Sequence, residues 1–139
     1  MGKKIYLNAL RPCDRLVLPK SNLRLIQHHV IYIGKDSQGK RQYIENAMGR
    51  GVQLISEAYL FRDGYQVTRI EPFNGTQYQR NIAVKAALQL IGTGYDLINF
   101  NCEHYANVVQ HNFSHSEQVG TGLAFGLIAL LIGIGVMNK

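Results

Sequence analysis

The chain has 139 residues, of which 46% are hydrophobic and 17% are charged, and its formal net charge is +6. This length suits one compact domain, and the hydrophobic content excludes a chain that is disordered throughout. The two cysteines, Cys13 and Cys102, are too few for a disulfide framework, so a reducing compartment is expected.

Alternation of apolar and polar residues predicts β-strands through the first half of the chain. The predicted strands span residues 15–18, 27–34, 41–47, 52–56 and 65–70. Helical spacing then predicts two helices, one at 78–91 with Thr76 as its N-cap and Gly92 as its stop, and one at 102–111. Strands followed by helices indicate an α+β fold, in which helices pack on a small, largely antiparallel sheet.

The C-terminal segment 119–137 contains no charged residue. As a helix it would extend roughly 28 Å, close to the hydrocarbon thickness of a bilayer. A buried core helix is the alternative, but it would show an amphipathic stripe, whereas this segment is apolar on every face. We therefore expect a folded domain at 1–118 and a single-pass membrane anchor at 119–137, with the domain on the cytosolic side.

The domain ahead of this segment carries fourteen basic and nine acidic residues. A basic surface suits anionic lipid headgroups or nucleic acid. The sequence shows no nucleic-acid-binding motif and no zinc-finger spacing. We therefore expect a phospholipid membrane as the partner and no nucleic acid.

The segment 99–105, NFNCEHY, contains a candidate nucleophile. Asn101 is a favoured N-cap residue and puts Cys102 at the first helical position. Free amides and the dipole at a helix N-terminus stabilise an anion, so they lower the pKa of a thiol there and can also receive an oxyanion. The alternative for Cys102 is a small buried hydrophobic residue, the commonest role of cysteine.

A nucleophilic cysteine also needs a base. His104 lies two residues after the cysteine, and residues two apart on a helix do not face each other. His28 and His29 lie on a predicted strand and point to opposite faces, so only one of them addresses the thiol. The neighbours of His29 are the more apolar, which favours His28. The next predicted strand offers Glu45 and Asn46 as the polar group that orients the imidazole.

Two motifs, HHVIYIG at 28–34 and NCEHYANVV at 101–109, resemble those of the lecithin:retinol acyltransferase family in their order and separation. The segment RPCD at 11–14 resembles the initial P-G-D turn of that family, with Cys13 where glycine is usual. The resemblance covers roughly residues 10–112. It implies a circularly permuted, NlpC-type or papain-like thiol fold, in which a small antiparallel sheet packs on helices.

The resemblance also implies roles for the site residues. Cys102 falls at the position of the nucleophile and His28 at that of the general base. The third position of the family, often a second histidine, falls on Glu45, or on Asn46 if the register slips by one. A carboxylate there would raise the pKa of the imidazole. His29 falls where an aromatic residue or a second histidine is usual, and we expect it to pack or to face the substrate.

Members of this family take an acyl chain from a phospholipid onto the cysteine and pass it to an amine, an alcohol or water through a thioester. The resemblance therefore implies a membrane-anchored acyltransferase or phospholipase that acts on an acyl-chain substrate, with no metal and no cofactor. Three alternatives stay open. One is a thiol peptidase or amidase, and another is a catalytically weak or inactive interaction module, which the altered third position favours. The last is a zinc site formed by Cys102 with His28, or by His111 with His115.

Overall fold

The computed structural model describes residues 6–20 and 27–111. Its strands are β1 (Arg15–Pro19), β2 (Gln27–Lys35), β3 (Arg41–Ala47), β4 (Gly51–Ser56) and β5 (Arg69–Glu71). Helices α1 (Glu57–Leu60), α2 (Gln77–Gln89) and α3 (Cys102–His111) complete these elements. The predicted α+β class is confirmed for this part of the chain. The predicted anchor at 119–137 lies outside the described residues, and among those residues no helix is long and apolar enough to cross a membrane.

The strands form one antiparallel sheet in the order β4-β3-β2-β1-β5. The first four strands follow one another through short connections, and β5 returns to pair with the other side of β1. Asp36 closes the turn between β2 and β3, because its carboxylate accepts the amides of Gln38 and Lys40 at 2.8 and 2.9 Å. Aspartate is favoured in turns for this kind of local hydrogen bond.

Apolar side chains cover both faces of the sheet. On one face, α2 and α3 pack over a core that includes Ile31. On the other face, Val30 belongs to a second core that includes Leu60 of α1. Successive side chains of a strand point to opposite faces, so His29 shares the helix-facing side with Ile31, and His28 shares the other side with Val30.

The last strand is shorter than the prediction of 65–70. The amide and the hydroxyl of Thr68 both donate to the carbonyl oxygen of Val17, at 2.8 and 2.9 Å, and β5 begins only at the next residue. The backbone carbonyl group of Val17 points toward β5. Pro19 lies two residues further along β1, so its backbone groups point to the same side. Proline has no N–H to donate, and the ladder between β1 and β5 therefore does not extend past this point.

Helix α3 matches its predicted bounds at both ends, whereas α2 matches the prediction more closely at its start than at its end. Thr76 is the N-cap of α2, as predicted, and it forms a capping box with Gln79. The helix ends at Gln89, two residues before the predicted end, and Gly92 follows with a φ of 94°. The four-residue helix α1 was not predicted, because a single turn is too short to show a helical period.

Candidate active site

Strands β2 and β3 separate at the end of β2 that carries the two histidines. Pairing between these strands stops at Val30 and Glu45, whereas β1 stays paired with β2 as far as Gln27. The N-terminus of α3 lies at this opening. The Sγ of Cys102 is 3.9 Å from the carbonyl oxygen of Gln27, and the backbone amide of His29 hydrogen-bonds to the sulfur. The opening therefore brings Cys102 to the strand that carries both histidines.

Asn101 caps α3, as the sequence predicts. Its side-chain oxygen accepts a hydrogen bond from the backbone amide of His104 at 3.0 Å. The backbone amide of Asn101 in turn donates to Nδ1 of His104 at 3.1 Å. The two bonds form a capping box in which histidine takes the position usually held by Glu or Gln. The ring of His104 is thereby engaged in the cap, and the first-turn amides of Cys102 and Glu103 have no partner within the helix.

A buried amide on β3 holds the loop that precedes the cysteine. The Nδ2 of Asn46 donates to the carbonyl oxygens of Phe100 and Asn101, at 2.8 and 3.2 Å. Asn46 is completely buried on the helix-facing side of the sheet, whereas its neighbour Glu45 points to the other side. Asn46, the alternative third site residue in the sequence analysis, therefore contacts this loop, and Glu45 contacts the imidazole.

The imidazole of His28 lies between a carboxylate and a thiol. Its Nε2 is 2.7 Å from Oε1 of Glu45, whose Oε2 accepts a hydrogen bond from Gln53 at 2.6 Å. The Nδ1 of His28 is buried and makes no hydrogen bond of regular geometry within the described part of the chain. It is the ring nitrogen left for Cys102. The three side chains form a line in which the carboxylate orients the imidazole toward the sulfur.

The electrostatics of this line favour a thiolate and an imidazolium. Burial would raise the pKa of Cys102, but interactions with the imidazole of His28 and the amide of His29 outweigh burial and lower that pKa. Burial would likewise lower the pKa of His28, but Cys102 and Glu45 outweigh it and raise that pKa. Burial also opposes ionisation of Glu45, while hydrogen bonds from His28 and Gln53 lower its pKa. Each charge is thus stabilised by its neighbour.

The side chain of His29 has different surroundings. It is buried, and its Nδ1 lies 3.4 Å from Nη1 of Arg15. Burial and the charge of Arg15 lower the pKa of His29, which favours its neutral form. Arg15 also donates to Oδ1 of Asn107 on α3 at 2.6 Å. The ring of His29 therefore packs beneath α3, while its backbone amide reaches the sulfur of Cys102.

The second cysteine has the opposite character. Cys13 lies in the turn at 11–14 with a φ of 75°, a left-handed conformation that glycine adopts most readily. The family turn that this segment resembles usually has glycine at this position. Cys13 is completely buried, and burial raises the pKa of its thiol to about 12. A buried thiol of this kind is unreactive at neutral pH.

A cavity of about 250 Å³ opens beside His28 and Glu45. Its wall includes three cationic side chains, Lys20, Arg50 and Arg62. The sequence analysis noted an excess of basic residues but did not predict this grouping. The three residues come from separate connections, after β1, between β3 and β4, and after α1, so no local pattern brings them together.

Gln53 is a further site residue that the sequence analysis did not identify. It is the direct cross-strand partner of Glu45 in the β3–β4 pair. The length of the β3–β4 turn would have allowed this pairing to be predicted. Residues 48–50 connect the two strands, so position 47 pairs with 51, 46 with 52 and 45 with 53. A register derived from this turn would have found it.

The described residues contain no group of three or more His, Cys, Asp or Glu side chains that could hold a metal ion. Cys102 and His28, the first zinc alternative, lie together with Glu45 as a line rather than a cluster of that kind. His115 of the second alternative lies outside the described residues.

The chain is similar to a curated human protein, phospholipase A and acyltransferase 2 from Homo sapiens, with 33% identity over 82 residues. This similarity supports the resemblance to the lecithin:retinol acyltransferase family. The match covers 54% of this chain and 51% of the relative, so the chain spans about half the length of the curated relative that it matches. No protein-family model matches the chain, and no solved structure matches it significantly.

Proposed function

We propose that this chain is a thiol acyltransferase or phospholipase that takes an acyl chain from a phospholipid onto Cys102 and passes it to an amine, an alcohol or water. The observation that carries the proposal is the line of Glu45, His28 and Cys102, in which Glu45 and Cys102 are buried and 2.7 Å separates the carboxylate from the imidazole. The name of the human relative, phospholipase A and acyltransferase 2, supports the same chemistry.

In the first half-reaction, Nδ1 of His28 takes the thiol proton and the Cys102 thiolate attacks the ester carbonyl of the phospholipid. A tetrahedral oxyanion forms, and the free amides at the N-terminus of α3 are suited to receive it. The intermediate collapses as the ester C–O bond breaks. The leaving alkoxide of the lysophospholipid takes the proton from the imidazolium, and the acyl chain stays on Cys102 as a thioester.

The second half-reaction reverses these roles. His28 removes a proton from the incoming amine, alcohol or water, whose nitrogen or oxygen attacks the thioester carbonyl. The C–S bond breaks, the acyl chain leaves on the acceptor, and the thiolate is restored beside the imidazolium. Throughout, Glu45 orients the ring and stabilises its charged form, and Gln53 holds the carboxylate that does so.

The altered third position supports catalysis rather than an inactive interaction module. The exchange of a family histidine for Glu45 was the sequence feature that favoured an inactive module. Glu45 is buried and ion-paired to His28, and its pKa is lowered. A carboxylate in this environment remains charged at neutral pH and can perform the orienting role of the third residue.

The fold in this proposal is the permuted papain-like one, in which the strand histidine precedes the helix cysteine along the chain. The proposal also assigns residues 119–137 as a single-pass anchor and the domain to the cytosolic side of the membrane. The apolar composition of that segment supports the anchor, and a reactive thiol suits a reducing compartment.

The test is the intact mass of the full-length protein after incubation with phosphatidylcholine vesicles. We expect a mass increase of one acyl chain together with release of lysophosphatidylcholine. The Cys102→Ser variant should gain no acyl chain, and the Cys13→Ser variant, which keeps the site, should gain it normally. An unmodified parent protein, or an acylated Cys102→Ser variant, would contradict the proposal.

A further inference from the structure

Two large apolar side chains project into solvent directly before the nucleophile. Leu97 and Ile98 are 63% and 79% exposed, the latter the highest exposure among the large hydrophobic side chains of the described residues. Met48, in the turn between β3 and β4, is 61% exposed and lines the cavity beside His28. Single exposed apolar residues are common, but two adjacent ones in the loop that leads to a candidate nucleophile indicate a contact surface.

The loop that carries Leu97 and Ile98 is internally bonded. The Oδ1 of Asp96 accepts the amides of Ile98 and Asn99, both at 3.0 Å, and Asp96 and Phe100 exchange two backbone hydrogen bonds of 2.8 and 2.9 Å. The side chain of Asn101 donates to the carbonyl oxygen of Leu97 at 3.1 Å. When the backbone groups of a loop are already hydrogen-bonded within the protein, transfer of that loop from water to a lipid phase costs less free energy.

This tip and the turn of Met48 lie at the same edge of the molecule as the site. Asn46 ties the base of the tip to β3, and Val52 of β4 exchanges hydrogen bonds with Thr93 and Gly92, each of 2.9 Å. The chain from Gly92 to Cys102 therefore runs beside the β3–β4 turn. The apolar tip is held next to the opening through which a substrate would reach the sulfur.

The cavity beside this edge is lined by three cationic side chains, two of which contact Tyr59. The guanidinium of Arg62 lies 3.9 Å from the centre of the Tyr59 ring and donates to the Tyr59 carbonyl oxygen at 2.8 Å. Arg50 donates to the Tyr59 hydroxyl at 2.5 Å, and Lys20 lines the same cavity. Asp63, also on the wall, is a weak partner of Arg62 at 4.0 Å. The cations complement the phosphates of a lipid headgroup layer.

We propose that the Leu97–Ile98 tip and the cationic wall of Lys20, Arg50 and Arg62 dock the mouth of the site onto an anionic lipid surface. The tip enters the acyl-chain region, and the three cations contact lipid phosphates. This docking sets the orientation of the domain on the bilayer, which an anchor joined through residues 112–118 does not by itself specify. The inference rests on the proposed function for its choice of lipid as the ligand.

The first test uses the absence of tryptophan from the chain. In an Ile98→Trp variant of the full-length protein, the new side chain is the only tryptophan and reports on the tip alone. With vesicles of equimolar phosphatidylcholine and phosphatidylserine, its emission should shift to the blue and be quenched by brominated acyl chains. The control variant, Tyr78→Trp, carries its probe on the exposed start of α2, where Tyr78 is 57% exposed, and should show neither effect.

The second test separates docking from chemistry. The double variant Leu97→Gln/Ile98→Gln should acquire acyl chains from these vesicles about tenfold more slowly than the parent or slower still, because apolar side chains supply the insertion free energy. Its reaction with a soluble p-nitrophenyl ester of a short fatty acid should be unchanged, which also shows that the site is folded. The control, Leu54→Gln/Leu88→Gln, alters two other exposed leucines, which are 50% and 45% exposed, and should behave as the parent does.

The outcomes distinguish the inference from the function on which it rests. A tryptophan at position 98 that stays solvent-exposed on vesicles, or a tip variant that is acylated from vesicles at the parent rate, would overturn the docking inference. Failure of both donors to acylate the parent would overturn the proposed function instead. A blue shift of the Ile98→Trp variant in that case would still support docking on lipid.

Discussion

The state of the Cys102 thiol depends on two opposing contributions. Burial, the largest single contribution, disfavours a thiolate, but interactions with the imidazole of His28 and the amide of His29 together outweigh it and lower the pKa of Cys102. Each unit by which a pKa falls corresponds to about 1.4 kcal/mol in favour of the charged form. The imidazolium is in turn retained by Cys102 and Glu45, which together raise the pKa of His28 against burial. Both shifts increase the population of the reactive ion pair near neutral pH.

The two adjacent histidines offer a direct test of the base. His28→Ala should lower the rate of Cys102 acylation by about 10² to 10⁴, the usual contribution of a general base. His29→Ala should lower it much less, because the ring of His29 contacts Arg15 rather than the thiol. Initial rates measure the effect, and thermal unfolding shows whether either variant has lost its fold. The reverse order of activities in two folded variants would mean that His29 is the base and that Glu45 does not orient it.

The pH dependence of alkylation tests the ion pair itself. Iodoacetamide should modify Cys102 faster than Cys13 near neutral pH, because the pKa of Cys102 is lowered and that of Cys13 is raised to about 12. Glu45→Gln removes an interaction that raises the pKa of His28. That pKa should therefore fall, less imidazolium should remain near neutral pH, and the pKa of Cys102 should rise. The midpoint of the Cys102 alkylation profile should move to higher pH, and activity should lie between those of His29→Ala and His28→Ala.

Mass spectrometry of the two cysteine peptides gives a separate alkylation rate for Cys102 and for Cys13 at each pH. If both cysteines react at rates that follow their exposure alone, or if Glu45→Gln leaves the Cys102 midpoint unchanged, the thiolate–imidazolium pair is not the reactive form.

At the scale of elements, the site depends on where two strands stop pairing. Strand β3 continues past Glu45 to Asn46, which pairs with β4 and uses its side chain to hold the loop before α3. Strand β2 has already separated at Val30, and the N-terminus of α3 meets it there. A strand pair of full length would have closed this opening against the thiol.

Two asparagines test the attachment of α3, because Asn46 acts as a hydrogen-bond donor and Asn107 as an acceptor. Asn46 uses its amide as a donor to two carbonyl oxygens, so Asn46→Asp should set a carboxylate against them and destabilise the fold by about 1–3 kcal/mol. It should also slow acylation, because the loop before Cys102 shifts. Asn107 uses its oxygen as the acceptor for Arg15, so Asn107→Asp preserves that bond and should be tolerated. Thermal unfolding compares them, and equal losses of stability would contradict the role given to the Asn46 amide.

Most of the elements could be predicted because their signals are local. The strand at 41–47, the helix at 102–111 and the Thr76 cap agree with the structure, since alternation, caps and stops act over a few residues. The last strand was predicted to start too early because its start depends on Pro19, a residue of a different strand. The short helix α1 could not be predicted because four residues are too few to show helical periodicity of apolar residues.

The site residues divide in the same way. Cys102, His28 and Glu45 could be proposed from motifs, and the structure brings them together. Prediction of Gln53 required the register of the β3–β4 hairpin. Prediction of the three cavity cations required the tertiary fold. The engagement of His104 in the cap could not be predicted from its spacing alone, because histidine seldom takes that position in a capping box.

At the scale of the molecule, the described residues form one sheet with a buried core on each face. Both faces of the sheet are covered, and α2 is joined to the first turn through buried Arg80, which donates to the Pro12 carbonyl oxygen and to Asp14 at 2.5 and 3.2 Å. Asp14 also accepts the amide of Phe73 at 2.9 Å. These contacts lie entirely within the part of the chain that the structure describes.

A truncated protein tests whether this sheet with its two cores is independent of the predicted anchor. Deletion of residues 119–139 should leave a domain that unfolds cooperatively, because the described strands and helices already enclose a buried core on each face of the sheet. The truncated protein should no longer sediment with phosphatidylcholine vesicles, whereas the full chain should. Circular dichroism and vesicle sedimentation measure the two properties. A truncated chain that is unfolded would mean that 119–137 belongs to the core rather than to the membrane.

The central claim is that Cys102 carries the acyl chain between donor and acceptor. The most direct measurement is a pulse of phospholipid with an isotopically labelled acyl chain, followed by a chase of unlabelled phospholipid and an acceptor amine. Rapid quenching and peptide mass spectrometry then follow the label. We predict that a labelled thioester forms on the Cys102 peptide before any product and disappears at the rate at which labelled amide appears. Labelled amide formed while Cys102 stays unlabelled, or a Cys102 label that persists through the chase, would contradict the account.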